Sequence, residues 1–219
     1  MAFHDRAEAG KYLAQKLTRY ANRSDVLVLG LPRGGVPIAF EVAKAIHAPL
    51  DVFLVRKLGV PGHEELAMGA IASGGVRVIN DDAVRGLQIS DDIVDAVARK
   101  ELQELERREQ TYRDGRPPVA VTDRVVILVD DGLATGSTMR AAAQAVRQQK
   151  PKRLVVAVPI GAPETCDEFR SEVDETICAV EPEPFYAVGR WYEDFSPTSD
   201  EEVQLLLAEA SHWQNVDAT

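Results

Sequence analysis

The stretch Val125–Arg140, VVILVDDGLATGSTMR, constrains the fold more than any other part of the chain. Five consecutive aliphatic residues, most of them β-branched, suit a strand buried on both faces, which belongs inside a parallel sheet. The run ends on two carboxylates, Asp130 and Asp131, then turns through Gly132, Leu133 and Ala134 into Thr135, Gly136, Ser137 and Thr138. Met139, Ala142, Ala143 and Val146 then recur at helical spacing, and Pro151 ends that helix. The first-turn N–H groups of a helix lack partners within it, and the macrodipole adds partial positive charge. A hydroxyl-rich loop entering such a turn suits a phosphate monoester, and the neighbouring acids suit vicinal hydroxyls. The pattern predicts a sugar-phosphate site.

A second strand–turn–helix precedes it. Val26–Leu29 reads as a buried strand, followed by Gly30, Leu31, Pro32, Arg33, Gly34 and Gly35, with Pro37 in the first turn of a helix. Paired glycines let backbone N–H groups approach an anion, and Arg33 adds a bidentate donor for phosphate oxygens. GLPRGG does not match the dinucleotide fingerprint G-x-G-x-x-G. Asp51–Lys57 reads as a third strand ending in Arg56 and Lys57, two cations that suit either solvent or a diphosphate.

In DDGLATGST the chain resembles type I phosphoribosyltransferases, and within them the adenine-type members most. The resemblance implies an open, mainly parallel α/β sheet flanked by helices, with a small hood. It also implies transfer of ribose 5-phosphate from phosphoribosyl pyrophosphate (PRPP) to a nitrogenous base, with pyrophosphate released and Mg2+ bound to PRPP. Asp130 and Asp131 then face the ribose, Ala134 to Thr138 take the 5′-phosphate, and Pro32, Arg33, Gly34, Gly35 and Arg56 take the pyrophosphate. Lys57 and His63 fall where orotate-type members carry a flexible catalytic loop, although His63 equally suits a surface loop. After the VG turn at Val188, the family's hood places Trp191 or Tyr192 against the base. Glu193 and Asp194 then lie near the metal, indirectly through water and PRPP. Two features depart from hypoxanthine-type members: Ala134 stands before Thr135 in place of an acid, and Val158–Gly161 offers no base-reading lysine. A PRPP- or nucleotide-binding regulator, or a hydrolase or phosphorylase of a phosphoribosyl compound, would use the same loops.

The remaining segments read as one domain over residues 1–219 with a flexible loop at about 58–75, a helical insertion at about 88–115 and a C-terminal hood and helix at about 181–213. Asp5 with Glu8, and Ser199 with Glu202, form capping boxes for the first and last helices. Ser90 caps the insertion, whose run KELQELERREQ reads as an external or dimer-packing face; Arg113 and Arg116 could there reach a neighbouring subunit's phosphate. A homodimer follows by family analogy. The formal charge of −10 argues against a nucleic-acid surface. No apolar run approaches the ~20 residues that cross a bilayer, and MAFHDRAEAG lacks a signal-peptide core, so the expected location is cytoplasmic. Cys166 and Cys178 show no C-x-x-C spacing, and neither zinc nor a disulfide is expected from them.

Overall fold

The computed structural model describes residues 2–216. Five strands form an all-parallel sheet in the order β2 (Leu50–Val52), β1 (Val26–Gly30), β6 (Val125–Val129), β7 (Arg153–Ile160) and β8 (Glu175–Val180). β6 is central. Its Val125, Ile127 and Val129 enter the apolar cluster under α1 (Arg6–Lys16) and α2 (Gly35–Ile46), while Val126 and Leu128 enter the one under α5 (Ser137–Gln148) and α6 (Pro163–Glu172). Two covered faces explain why the run is apolar without alternation. β1 and β6 end in register, Gly30 opposite Val129, so the turns that follow them leave the sheet side by side. Among the described residues no helix is long and apolar enough to cross a membrane.

The expected third strand is two. β2 stops at Val52 because β1 runs out: the Gly30 carbonyl accepts from Phe53 N, and Leu54 N instead donates to Ser73 Oγ. The chain then enters a separate antiparallel sheet of β3 (Val55–Val60), β4 (His63–Ala72) and β5 (Val76–Ile79). Most of the segment expected as a loop at 58–75 is therefore paired strand, with Gly62 at φ 79° in the tight turn. α3 (Asp81–Gly86) leads on to the insertion.

The insertion is α4 (Asp91–Arg113), with Ser90 in the N-cap position but bonding nothing there through its hydroxyl. It is not simply external. Val94, Ala98, Leu105, Tyr112 and Arg113 are buried, and the helix packs on β3, β4 and α7 (Asp200–Val216). Arg113 does not reach outward: Nε donates to Asp51 Oδ1 at 2.8 Å, and Nη2 to the Val52 carbonyl at 3.0 Å. Arg116 is likewise spent on the carbonyls of Arg113 and Leu207.

Cys166 on α6 and Cys178 on β8 form a disulfide, contrary to the sequence expectation. Pairing depends on α6 folding back beside the strand it precedes, which no local spacing encodes. With the cysteines 12 positions apart, reduction should lower unfolding free energy by about 3 kcal/mol through loop-closure entropy. Urea melts with and without reductant measure this; a difference near zero would mean that packing alone fixes α6.

Candidate active site

Two turns converge at the C-terminal ends of β1 and β6. A Cβ on Gly35 would lie 2.6 Å from the Val129 carbonyl oxygen and 2.8 Å from Asp130 Cα. One on Gly34 would collide with Asp131 Oδ2. Only paired glycines let the Leu31–Gly35 turn press against the acid pair, which makes close approach, rather than backbone freedom, their function. The Pro32–Arg33 peptide in this turn is cis.

On the other side, Gly136 caps α5 at φ 72°, and no side chain caps the helix's first turn. Thr135, Ser137 and Thr138 are exposed around it, with Thr135 Oγ1 3.2 Å from Ser137 Oγ. Capping-type residues that leave the turn uncapped leave its N–H groups directed at an incoming anion. The loop floor is fixed from below: Thr165 Oγ1 donates to the Ala134 carbonyl at 2.6 Å, and Leu133 bridges Gly161. A Cβ on Gly136 would strike Phe169, so the loop sits directly on α6.

The two acids are not equivalent. Asp131 Oδ2 accepts from Arg6 Nε at 3.1 Å and Nη2 at 2.9 Å, in a half-buried pair. Asp130 Oδ1 accepts the Asp131 N–H at 2.8 Å and has no such cation. Burial, followed by the Asp131 charge, pushes the Asp130 carboxyl well above the usual range. Burial also raises Asp131, against the pull of Arg6. In sequence Arg6 reads as plain scaffold in the first helix; it lies 125 positions from its partner and has no local signal. Its guanidinium also donates to the Ser196 carbonyl and stacks 4.1 Å from the Phe195 ring centre, tying α1, the acid pair and the C-terminal segment together.

The other expected residues separate. Arg33 borders a cavity of about 150 Å³ together with Pro32, Arg56 and Thr138. Arg56 is held by Glu101 of α4 at 2.6 Å. Lys57 faces an open groove of about 710 Å³ between the small sheet and α5, where Ser137 and Thr138 also line the wall. His63 is exposed at the start of β4 and borders neither space. Tyr192 is buried, with its hydroxyl donating to the Asp131 carbonyl at 2.6 Å, and burial raises its phenol. Trp191 is half-buried and holds Phe3 N through its carbonyl. Glu193 pairs with His4 at 3.0 Å, and Asp194 caps Ser196. Among the described residues, the one cluster of potential metal-ligating side chains is Cys166, Cys178 and Glu181, where the sulfurs are already bonded to each other.

Residues 2–187 match the family model for the phosphoribosyl transferase domain. The protein named "Putative phosphoribosyl transferase Rv0571c" from Mycobacterium tuberculosis H37Rv is 50% identical over 208 residues, covering 95% of this chain and 47% of the relative. The chain thus spans about half the length of that relative. The bifunctional protein PyrR of Clostridium acetobutylicum is 30% identical over 161 residues, 68% of this chain and 70% of that protein. The crystal structure of TT1426 from Thermus thermophilus superposes with a TM-score of 0.83 at 42% identity, covering 95% and 99% of the two chains. AQ2163 from Aquifex aeolicus, at 11% identity and a TM-score of 0.50, shares the fold. With a parallel five-stranded sheet, two turns leaving its central strands side by side and a family match across most of its length, the chain belongs to the phosphoribosyl transferase domain family, type I in fold.

Proposed function

We propose that this chain binds PRPP and transfers its ribose 5-phosphate to a nitrogenous base, releasing pyrophosphate. The observation that carries the reading is the contact of the Gly34–Gly35 backbone with the acid pair. It sets a diphosphate-type turn beside a ribose-type pair and the uncapped helix α5. Ala134 to Thr138 would take the 5′-phosphate, and Pro32, Arg33, Gly34 and Gly35 the pyrophosphate. Lys57 would approach from the small sheet. Asp130 is the acid placed for the ribose hydroxyls, because Arg6 occupies Asp131. Loss of pyrophosphate leaves oxocarbenium-like charge on the ribose and negative charge on the leaving group; acids on one side and guanidinium and backbone N–H groups on the other oppose each.

The donor set fits Mg2+ carried in by PRPP. Glu193 and Asp194 are exposed, one beside His4 and the other holding Ser196, and with Asp130 they form no ion-holding cluster among the described residues; magnesium would then bind through few carboxylates plus phosphates and water. When bound it would neutralise diphosphate charge. A homodimer is part of the proposal: Leu66, Leu87 and Ile93 expose apolar surface that suits a second copy.

The test is thermal melting with PRPP and Mg2+, with ribose 5-phosphate and pyrophosphate as separate ligands. PRPP at ~100 times its dissociation constant stabilises by roughly 2.7 kcal/mol. No shift with any of the three would remove the reading. A second reading, a PRPP-binding regulator, is favoured by the β7 end: Val158 and Ile160 are buried there and Gly161 follows, so it presents no polar side chain to a base. Pyrophosphate release with a panel of bases separates the two.

A further inference from the structure

Helix α4 enters the proposed site where its charge pattern gave no hint of doing so. Arg108 and Tyr112, on one face at i and i+4, border the 150 Å³ cavity beside Pro32, Arg33 and Arg56. Three arginines and a tyrosine thus line a space that the Leu31–Pro32 turn also borders. Each has an acidic partner from the insertion or the last helix. Arg56 is held by Glu101 at 2.6 Å, and Arg108 by Glu104 at 2.8 Å. Tyr112 donates to Asp200 Oδ1 at 2.7 Å, and the same oxygen lies 3.8 Å from Arg33 Nη1. Asp200, the first residue of α7, is therefore an internal anion set against the family's pyrophosphate turn.

The strengths of these contacts differ. Tyr112 is buried, and burial followed by the Asp200 hydrogen bond pushes its phenol up to about 12, which keeps it a donor at neutral pH. The Arg33–Asp200 contact is long, and both side chains are about half exposed, 49% and 54%. An ion pair of that kind contributes little and exchanges readily. A phosphate oxygen would make shorter, charge-assisted bonds to Arg33.

We propose that Arg108 and Tyr112 of α4 complete the diphosphate end of the site, and that Asp200 occupies Arg33 there until a diphosphate displaces it. The inference rests on the PRPP reading and deepens it by adding an insertion helix and a resident counter-anion to that end. It also accounts for the length of α4, whose C-terminal turns deliver residues that a shorter helix would not.

The test is calorimetric titration of the full chain with inorganic pyrophosphate and, separately, ribose 5-phosphate. Arg108→Ala should weaken pyrophosphate by roughly tenfold or more, the scale of a lost hydrogen bond to a charged group, with ribose 5-phosphate unchanged within about twofold. Arg108→Lys should recover part of the loss, since the charge returns without the fork. Asp200→Asn should tighten pyrophosphate several-fold, and Tyr112→Phe, which keeps the ring and frees Asp200, separates holding from packing. If Arg108→Ala weakens both ligands equally or neither, or Asp200→Asn weakens pyrophosphate, the inference is overturned while the PRPP reading stands. If the parent chain binds neither ligand, both fall together.

Discussion

Asp130→Asn should make the unliganded protein more stable and at the same time remove its response to PRPP. The Asp130 carboxyl is raised in the fold by burial first and by the Asp131 charge second. A group with a raised folded value contributes stability that is complete below its unfolded value, about 3.9 for Asp, and lost as pH rises through the folded value. As pH rises above the unfolded value the parent protein therefore loses stability that the asparagine variant keeps. The expected gain is about 0.5–2 kcal/mol, the range usual when a functional site is relieved. In denaturant melts from pH 4 to 8, the gap between variant and parent should open as pH rises. A pH-independent gap, or a less stable variant, would show that Asp130 carries no unfavourable charge. On the proposed PRPP reading ligand binding should move the other way: an amide would offer one acceptor and no charge to the ribose hydroxyls, so the PRPP shift should disappear.

Asp131→Asn should behave differently, since it leaves Arg6 half-buried beside an amide. Removing one partner of such a pair destabilises because the other charge stays behind. Two adjacent, identical residues thus have opposite expected effects on stability. The sequence shows the pair; only the fold shows which of them has the guanidinium.

What was legible follows from this distinction. The central strand, the two strand-end turns and the helices after them could be read because each is encoded locally, by an unbroken apolar run, a glycine pair or a 3.6-residue period. The parallel sheet follows from their alternation. Arg6, Tyr112 and Asp200 were not legible, because Arg6 meets its acid 125 positions away and Tyr112 meets Asp200 across 88. Arg108 was hidden for another reason, the facing of one long helix. A partial signal existed in α4. Ala98, Leu105 and Tyr112 recur every seven residues, which marks a buried seam beneath the charges. DVFLVRK misleads differently: its composition suits strand throughout, but its neighbour β1 ends at Gly30 and cannot pair past Phe53.

Arg113→Ala should cost about 3–5 kcal/mol, the largest stability effect of any substitution considered, although the sequence reading sends this residue outward toward a neighbouring subunit's phosphate. Arg113 and Asp51 are both nearly fully buried, with side chains 8% and 6% exposed. Asp51 is engaged through both oxygens: Oδ1 takes Arg113 Nε and the Val52 N–H, and Oδ2 takes the Val119 N–H. It joins edge strand β2, the end of α4 and the approach to β6. Truncating Arg113 leaves that carboxylate with backbone donors but no compensating cation, and it takes from Glu109 the guanidinium at 3.3 Å, leaving the Ser73 hydroxyl. Chevron or equilibrium urea measurements should show the loss at any neutral pH. The double variant Asp51→Asn with Arg113→Met should recover part of it, because no charge is then left buried, while the single amide oxygen can serve only one of the Val52 and Val119 N–H groups. A loss below about 1 kcal/mol for Arg113→Ala would place the pair among solvent-compensated surface contacts. Since Tyr112 is the adjacent residue, pyrophosphate affinity should fall with stability in the single variant and return in the double one, which ties the placement of α4's cavity-facing residues to this buried anchor.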